Sequence, residues 1–473
     1  MNLLLDPGML PVNELEKTFE IFINGNNTLH LVSKKVHEEY WKTTVSKFES
    51  IHYNYFNIQA NPTHEGRFKQ YSKIIDVILN DSRTILIAER VNKLKRWGSA
   101  HNAHKEIEKI VFNIIAFLKE KEINCVIFQA TPHGIYEWLL GKTAEGLGVK
   151  VLMMKTSPIP WRYWMIEGID KQKPIDISHL QSVTEDKYLD RYIAINTSTY
   201  SQAIPDYEKK RIEARGGQYW SWKNEFQHIL KRPRPRQIRE LQHKYNLYKS
   251  YKRHCSNNYQ SSKKNIVFFL HYQPERTSLP EGGIYAQQWL IARALSLALP
   301  DNWILYVKEH PSIFTNTKFD YKYRDENFYS EISKLHNVEL VPLQTDTFDL
   351  IDNSMGIATI TGTVGVQSLL RGKSVLAFGC ASYAGCPGVY KIESINDLEE
   401  AFNNIKNNHL PTIDESSTRK FLTNLIPNTV SCIDDRDGLS EFSFYDASNR
   451  KNGHLVLLSK VLNTPLFTSI IFS

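Results

Sequence analysis

Two phrases in this 473-residue chain bring together groups that suit a phosphate: Lys308-Glu309-His310-Pro311, and Thr361-Gly362-Thr363-Val364-Gly365 followed by Gln367. Each follows a run that reads as a buried strand, 303–307 and 356–360, and the second opens a helical pattern over 364–371. A small-residue turn between strand and helix offers backbone N–H groups and the positive end of a helix dipole to an anion. Lys308 and His310, at the end of a neighbouring strand, would point into the same crevice. Pro311 stops that strand and fixes its turn, so the imidazole is held where it can donate to a phosphate oxygen. Lys308, His310, Thr361, Gly362, Thr363, Gly365 and Gln367 thus outline a site for an activated, phosphate-bearing donor. The turn is neither a Walker A loop nor G-x-G-x-x-G.

Further polar groups gather at other expected strand ends. His271-Tyr272-Gln273-Pro274-Glu275 and its continuation to Gly283 follow a strand over 265–270. There Glu275 suits a base or a sugar hydroxyl, and Arg276 suits a phosphate or carboxylate. Asp346, Thr347 and Asp349 read equally well as ribose contacts or as helix caps. In the first half His133 follows a strand over 125–128, with Glu137 one helical turn further on. Glu89 and Arg90 follow a strand expected over 84–88, and Lys155 stands at the end of one over 149–154. These are acceptor-side candidates. Spacing does not choose a catalytic base among Glu89, His133, Glu137 and Glu275.

The elements that must position these groups alternate. In the first half the strands are separated by helical patterns over 105–119 and 134–147. In the second, strands at 265–270, 303–307, 338–341, 356–360 and 375–378 interleave with helices at 284–299, 326–335, 347–353, 364–371 and 395–404. Asn396 is the expected N-cap of the last helix. Such alternation predicts an α/β class of two Rossmann-like domains facing a central cleft, a GT-B-like architecture. The expected division is an acceptor-side domain over 1–240 with a basic helical extension, and a linker over 241–264. A donor domain follows over 265–410, and a tail over 411–473 packs back on the domains, with 456–466 a strand or helix.

Composition sets the outer limits. With 41% hydrophobic and 23% charged residues the chain is an ordinary globular one, long enough for two cores. A net charge of +7 is too mild for a nucleic-acid partner, and suits an anionic substrate or membrane surface. Basic runs at 231–236 and 248–254 could meet an anionic acceptor or phospholipid headgroups, or be solvated faces and a hinge. Five scattered cysteines without C-x-x-C argue against disulfides or zinc and for a reducing cytoplasm. The first residues lack a basic n-region, Asp6 and Pro7 cut their leucines short, and no run is long enough to span a bilayer. No cofactor is expected. Asp434-Asp435-Arg436-Asp437 is the nearest approach to a D-x-D metal pair, and it reads as a loop.

Lys308–Pro311, the run from Gly362 to Gly379 and the His271–Glu275 loop resemble the capsule polysaccharide biosynthesis proteins of bacteria, which include GT-B-type capsular Kdo transferases. The likeness covers about 262–400, and in the first half only Phe128–His133. It implies that His310 and Thr361, Gly362, Thr363 and Gly365 bind the phosphate and ribose of a CMP- or UDP-linked sugar donor. Gln367 departs from the pattern, because relatives often carry Glu there. A neutral amide can bind a ribose hydroxyl but is a poor base. The resemblance implies a metal-independent nucleotide-sugar glycosyltransferase acting on a glycan or lipid-linked acceptor. It would work in the cytoplasm, with peripheral contact to the inner membrane and the capsule assembly machinery. Transfer of a phosphopolyol from a CDP-activated donor, and a non-catalytic polysaccharide-assembly protein, are the competing expectations.

Overall fold

The computed structural model describes residues 1–6, 18, 28–33, 49–52, 68–91, 97–204, 206–231, 237–256, 263–315, 323–407, 413–433 and 447–462. The chain divides into two compact units, Met1–Glu185 with Asn424–Ser473, and Asp186–Thr423. The first unit therefore ends near 185 rather than 240, and most of the expected linker is helix Gln237–His254. That helix cannot swing as a linker, because Tyr251 is buried and its hydroxyl meets the Val341 carbonyl and the Glu309 N–H of the second unit. The expected loop at 434–437 and the basic residues 232–236 lie outside the described residues.

In the first unit the strands are β1 (Asn2–Asp6), β2 (Thr28–Ser33), β3 (Glu49–His52), β4 (Cys125–Phe128), β5 (Lys150–Thr156), β6 (Arg162–Glu167) and β7 (Lys173–Pro174). They line up as β3-β2-β1-β4-β5 in parallel, with β6 and then β7 added antiparallel at one side. The leucines near the start form the middle of this sheet. Leu3, Leu4 and Leu5 are fully buried between β2 and β4, as a parallel strand covered on both faces requires.

The strand expected over 84–88 is instead helix Ser82–Arg90, so Glu89 and Arg90 stand at no strand end. Asp81 caps it by accepting from the Arg83 N–H at 3.0 Å. Its buried residues Thr84, Ile87 and Ala88 fall at helical spacing, which a five-residue apolar run disguises.

The second unit carries β8 (Asn265–Phe269), β9 (Ile304–Lys308), β10 (Val338–Leu340), β11 (Gly356–Thr359), β12 (Ser374–Ala377) and β13 (Val389–Lys391). Their order is β10-β9-β8-β11-β12-β13, parallel throughout. Counted within the unit this is 3-2-1-4-5-6, the doubly wound order that reverses direction between its first and fourth strands.

The helix expected over 284–299 is split into a short turn, Gly283–Ala286, and helix Gln288–Ala298. At the break the Gln288 side chain accepts from the His271 N–H at 2.7 Å and donates to the His271 carbonyl at 3.1 Å. Ser394, not Asn396, caps helix Ile395–Lys406, in a reciprocal box with Asp397. The last strand, β14 (Val430–Ser431), pairs antiparallel with β6, and helix Ala447–Leu462 packs against β6 in the same unit.

Candidate functional site

A doubly wound sheet opens a crevice where its winding reverses, outside the carboxyl ends of its strands. In the second unit that point lies between β8 and β11, and His271 spans it. The imidazole Nε2 is 2.9 Å from Thr359 Oγ1 and accepts from the N–H groups of Ile360 at 3.2 Å and Thr361 at 3.3 Å. Nε2 is therefore unprotonated and Nδ1 carries the proton.

The Gly362 N–H donates to Thr359 Oγ1 at 3.3 Å. Three amides of the turn are thus engaged within the protein rather than open to an anion. Helix Val364–Leu370 begins after them with Thr363 as N-cap and no side-chain cap, which leaves its first N–H groups without side-chain partners.

Close packing explains the small residues of the turn. A Cβ on Gly362 would stand 2.8 Å from Thr359 Oγ1 and 3.2 Å from His271 Nε2. On Gly365 it would stand 2.2 Å from the Tyr383 hydroxyl oxygen, which donates to the Gly362 carbonyl at 2.8 Å. Thr361 Oγ1 donates to the Thr277 carbonyl at 3.0 Å and so ties the turn to the loop after β8.

At the end of β9, Lys308 is buried and donates to Thr347 Oγ1 at 2.8 Å and to the Thr345 carbonyl. Its ammonium lies 5.5 Å from the centre of the Tyr200 ring. Burial pushes its pKa down to about 8, against the opposing pull of Asp346 and Glu208. Lys308 is an anchor between strand ends.

His310, two residues on, is arranged differently. Its Nδ1 accepts from the Ser312 N–H at 3.1 Å, so in the neutral ring the proton sits on Nε2. Burial, with the positive charges of Lys308, Arg211 and Arg324, pushes its pKa down to about 4. Near neutral pH this ring is a fixed, uncharged N–H donor.

Between the two histidines lies a buried pair that the sequence did not reveal. Arg324 Nε meets Glu309 Oε2 at 2.9 Å, Nη1 reaches Gln273 Oε1 at 2.8 Å, and Nη2 reaches the His271 carbonyl at 3.1 Å. Glu309 also accepts from the Tyr329 hydroxyl at 2.6 Å and from the His310 N–H at 2.7 Å. One guanidinium thereby fixes the ends of both β8 and β9.

Glu208, on helix Asp206–Glu213, was missed as well. It is buried, its Oε1 has no hydrogen-bond partner among the described residues, and it feels the charges of Arg211 and Lys308. Burial raises its pKa.

The expected site residues separate into groups. Lys308, His310, Thr361, Gly362 and Thr363 share the carboxyl edge of the second sheet with the Glu275 and Arg276 loop. Glu275 is exposed and accepts from Thr277 Oγ1 at 3.2 Å, and Arg276 lies 3.5 Å from Glu281. Gln367 is buried and gives its amide to Asn196 Oδ1 at 3.0 Å. Asp346 caps helix Thr347–Asp352, accepting from the N–H groups of Phe348 and Asp349.

His133 and Glu137 belong to the first unit, after β4. His133 is exposed, with Nδ1 3.2 Å from the Thr131 carbonyl, and Glu137 accepts from the Gly134 N–H at 2.5 Å in a capping arrangement.

The two neutral imidazoles make stability depend on acid. Burial, His310 and Arg324 push His271 down to about 3, and both rings lie below the ordinary 6.5. Between those values the unfolded chain binds protons that the fold refuses. Stability is therefore full above pH 6.5 and falls as the pH drops toward 4 and below, by about 3 kcal/mol for His310 alone. Denaturant midpoints measured against pH should show this limb. His271→Gln should flatten it, and an unchanged limb in that variant would contradict the assignment.

Residues 165–397, just under half of the chain, match the family model described as Capsule polysaccharide biosynthesis protein. These residues belong to the capsule polysaccharide biosynthesis family. The match includes nearly all of the second unit and the whole His271–His310–Thr361 edge. No curated protein matches the chain.

Among solved structures, it is similar to the UDP-GlcNAc 2-epimerase of Neisseria meningitidis at 11% identity. That match covers 90% of this chain and 99% of the other, with a TM-score of 0.28. It is also similar to the β-Kdo 2,4 transferase of Thermosulfurimonas dismutans KpsC, at 16% identity over 59% and 79% of the two chains, TM-score 0.29. The β-Kdo 2,7 transferase of that KpsC gives 13% over 61% and 79%, TM-score 0.28. Likenesses at this distance carry no argument about activity. Among the described residues no helix is long and apolar enough to cross a membrane.

Proposed function

We propose that this protein is a GT-B-type glycosyltransferase of capsule or other surface-polysaccharide biosynthesis. It would take a nucleotide-activated sugar at the β8–β11 crevice of the second unit and pass the sugar to a glycan or lipid-linked acceptor at the membrane. The observation that carries this reading is His310, a neutral imidazole whose Nε2–H has no partner among the described residues, at a strand end beside a winding reversal. In transfer, the bond from the sugar's anomeric carbon to the leaving phosphate breaks. Negative charge builds on that phosphate, and a fixed donor at this edge would stabilise it without reorganising.

The new bond forms to an acceptor hydroxyl, whose proton must go to a base. Glu275 suits that role better than Glu137, because Glu137 closes the start of its own helix. Family membership and the donor edge together favour a CMP- or UDP-linked donor, and Kdo is the sugar that the family resemblance suggests.

Thermal unfolding with CMP, CDP, UDP and GDP tests the reading. A nucleotide held at a hundred times its Kd adds about 2.7 kcal/mol of stability by mass action, a rise of several degrees. One of the four should give it. If none does in well-folded protein, the donor-site assignment fails. Product analysis separates sugar transfer from phosphopolyol transfer, since only the latter leaves phosphate in the polymer.

A further inference from the structure

Helix Asp206–Glu213 in the second unit brings a carboxylate and a guanidinium to the donor edge. It packs against the short helix Ser312–Thr315, which follows His310 and Pro311. Arg211 is one of the charges that keep His310 neutral. Glu208 is only 5% exposed, and its Oε1 is buried with no hydrogen-bond partner among the described residues. A carboxylate oxygen stripped of water and left one bond short destabilises the empty protein. A ligand that supplies the missing donor accounts for its presence. The other carboxylates of this edge are already engaged. Glu309 is held by Arg324, Tyr329 and the His310 N–H, Asp346 caps helix Thr347–Asp352, and Glu275 takes the Thr277 hydroxyl.

The surroundings of Glu208 narrow the chemistry of that ligand. Glu208 feels the charges of Arg211 and Lys308, and acts in turn on Lys308 and on the partly buried phenols of Tyr200 and Tyr219. Lys308 has three N–H donors and gives two, to Thr347 Oγ1 and the Thr345 carbonyl, so one is left over among the described residues. Lys308 and Glu208 nevertheless form no ion pair with each other. One donor and one acceptor therefore stand open beyond the ends of β9 and β10. A phosphate would be repelled by the carboxylate, and an amine by the ammonium. A hydroxyl suits both, because it accepts from one and donates to the other. In a nucleotide whose phosphate lies at His310, the neighbouring ribose carries such a group. A carboxylate on the ribose 2′-hydroxyl is a recognised way for doubly wound domains to hold nucleotides.

We infer that Glu208, with Lys308, takes the ribose 2′-hydroxyl of the bound nucleotide and so selects a ribonucleotide donor. The inference rests on the donor site proposed above and names the residue that reads its ribose.

The test is calorimetric binding of CMP, CDP, UDP and GDP, and of their 2′-deoxy forms, to the full chain, alongside melting of the ligand-free protein. At least one ribonucleotide should bind wild type about tenfold to a hundredfold more tightly than its 2′-deoxy form, the usual weight of a hydrogen bond to a charged group. Glu208→Ala should lose that factor for the ribonucleotide and keep its affinity for the deoxy form, so that the preference disappears. Glu208→Gln should retain part of it, since the amide oxygen still accepts. Without ligand, both variants should melt no lower than wild type, because each removes a buried, unsatisfied carboxylate. Wild type that binds the deoxy forms equally well, or a Glu208→Ala variant that keeps the preference, overturns the inference and leaves the donor site standing. So do variants that melt lower and weaken equally on both forms, which would make Glu208 a structural counter-charge for Lys308. If no nucleotide binds wild type, the donor site itself fails, and this inference with it.

Discussion

Exchanging His310 for alanine is expected to lower sugar transfer about a hundredfold to a thousandfold while the protein stays folded. That is the usual cost of removing one preorganised donor from the place where charge develops in a transition state. The imidazole qualifies because its orientation is set in advance. Ser312 N–H holds Nδ1, burial and neighbouring cations keep the ring neutral, and Nε2–H is left as the donor. A donor already in place needs no rearrangement as the leaving phosphate gains charge, so the loss should fall on kcat more than on KM.

His310→Gln should recover part of the rate, since a side-chain amide can also donate. The wild-type rate should show no limb at the ordinary histidine pKa of 6.5, because this ring stays neutral down to about pH 4. A His310→Ala enzyme as fast as wild type would remove His310 from the chemistry.

What could be read from the sequence follows from how local each signal is. The β8–β12 alternation is local, since each strand is a short, mostly apolar run bounded by polar or glycine residues. Its strand ends therefore carried His310 and Thr361 to one edge. The partly exposed edge strand β13 carries no such signal and is not among the expected strands. In the first unit β1 holds only three fully buried leucines and β2 places a buried histidine, His30, among its apolar residues. Neither run announces a strand. Helix Ser82–Arg90 shows the converse: Ile85, Leu86, Ile87 and Ala88 are contiguous, and periodicity alone cannot separate such a run from a strand.

The partners that complete the site were invisible for another reason. Arg324 is 15 residues beyond the glutamate it pairs with, and Tyr251 lies 58 residues before the amide it receives. Pairings at that separation are made by the fold, and no spacing rule reports them. The same holds for the helices between 189 and 254, polar enough to read as an extension and hinge, yet tied to the end of β9 through Tyr251 and to helix Val364–Leu370 through Asn196.

The largest stability effect is expected from Arg324. Its side chain is 1% exposed and that of Glu309 is 0%, so the pair is wholly removed from water. Arg324→Met should cost about 3–5 kcal/mol, because Glu309 would be left as a buried carboxylate without its cation, and Gln273 and the His271 carbonyl would each lose a donor. For a unit of this size that is a fall in Tm of about 10 °C.

The cause can be isolated. Arg324→Met combined with Glu309→Gln removes the stranded charge, so the double variant should be more stable than Arg324→Met alone by more than additivity allows. Additive losses would mean that the pair is not the source. The consequence for function follows from the same bonds. Arg324 joins the strand end that carries His271 to the one that carries His310. Without it the two sides of the winding reversal lose their shared brace, and nucleotide binding should weaken even where the variant remains folded.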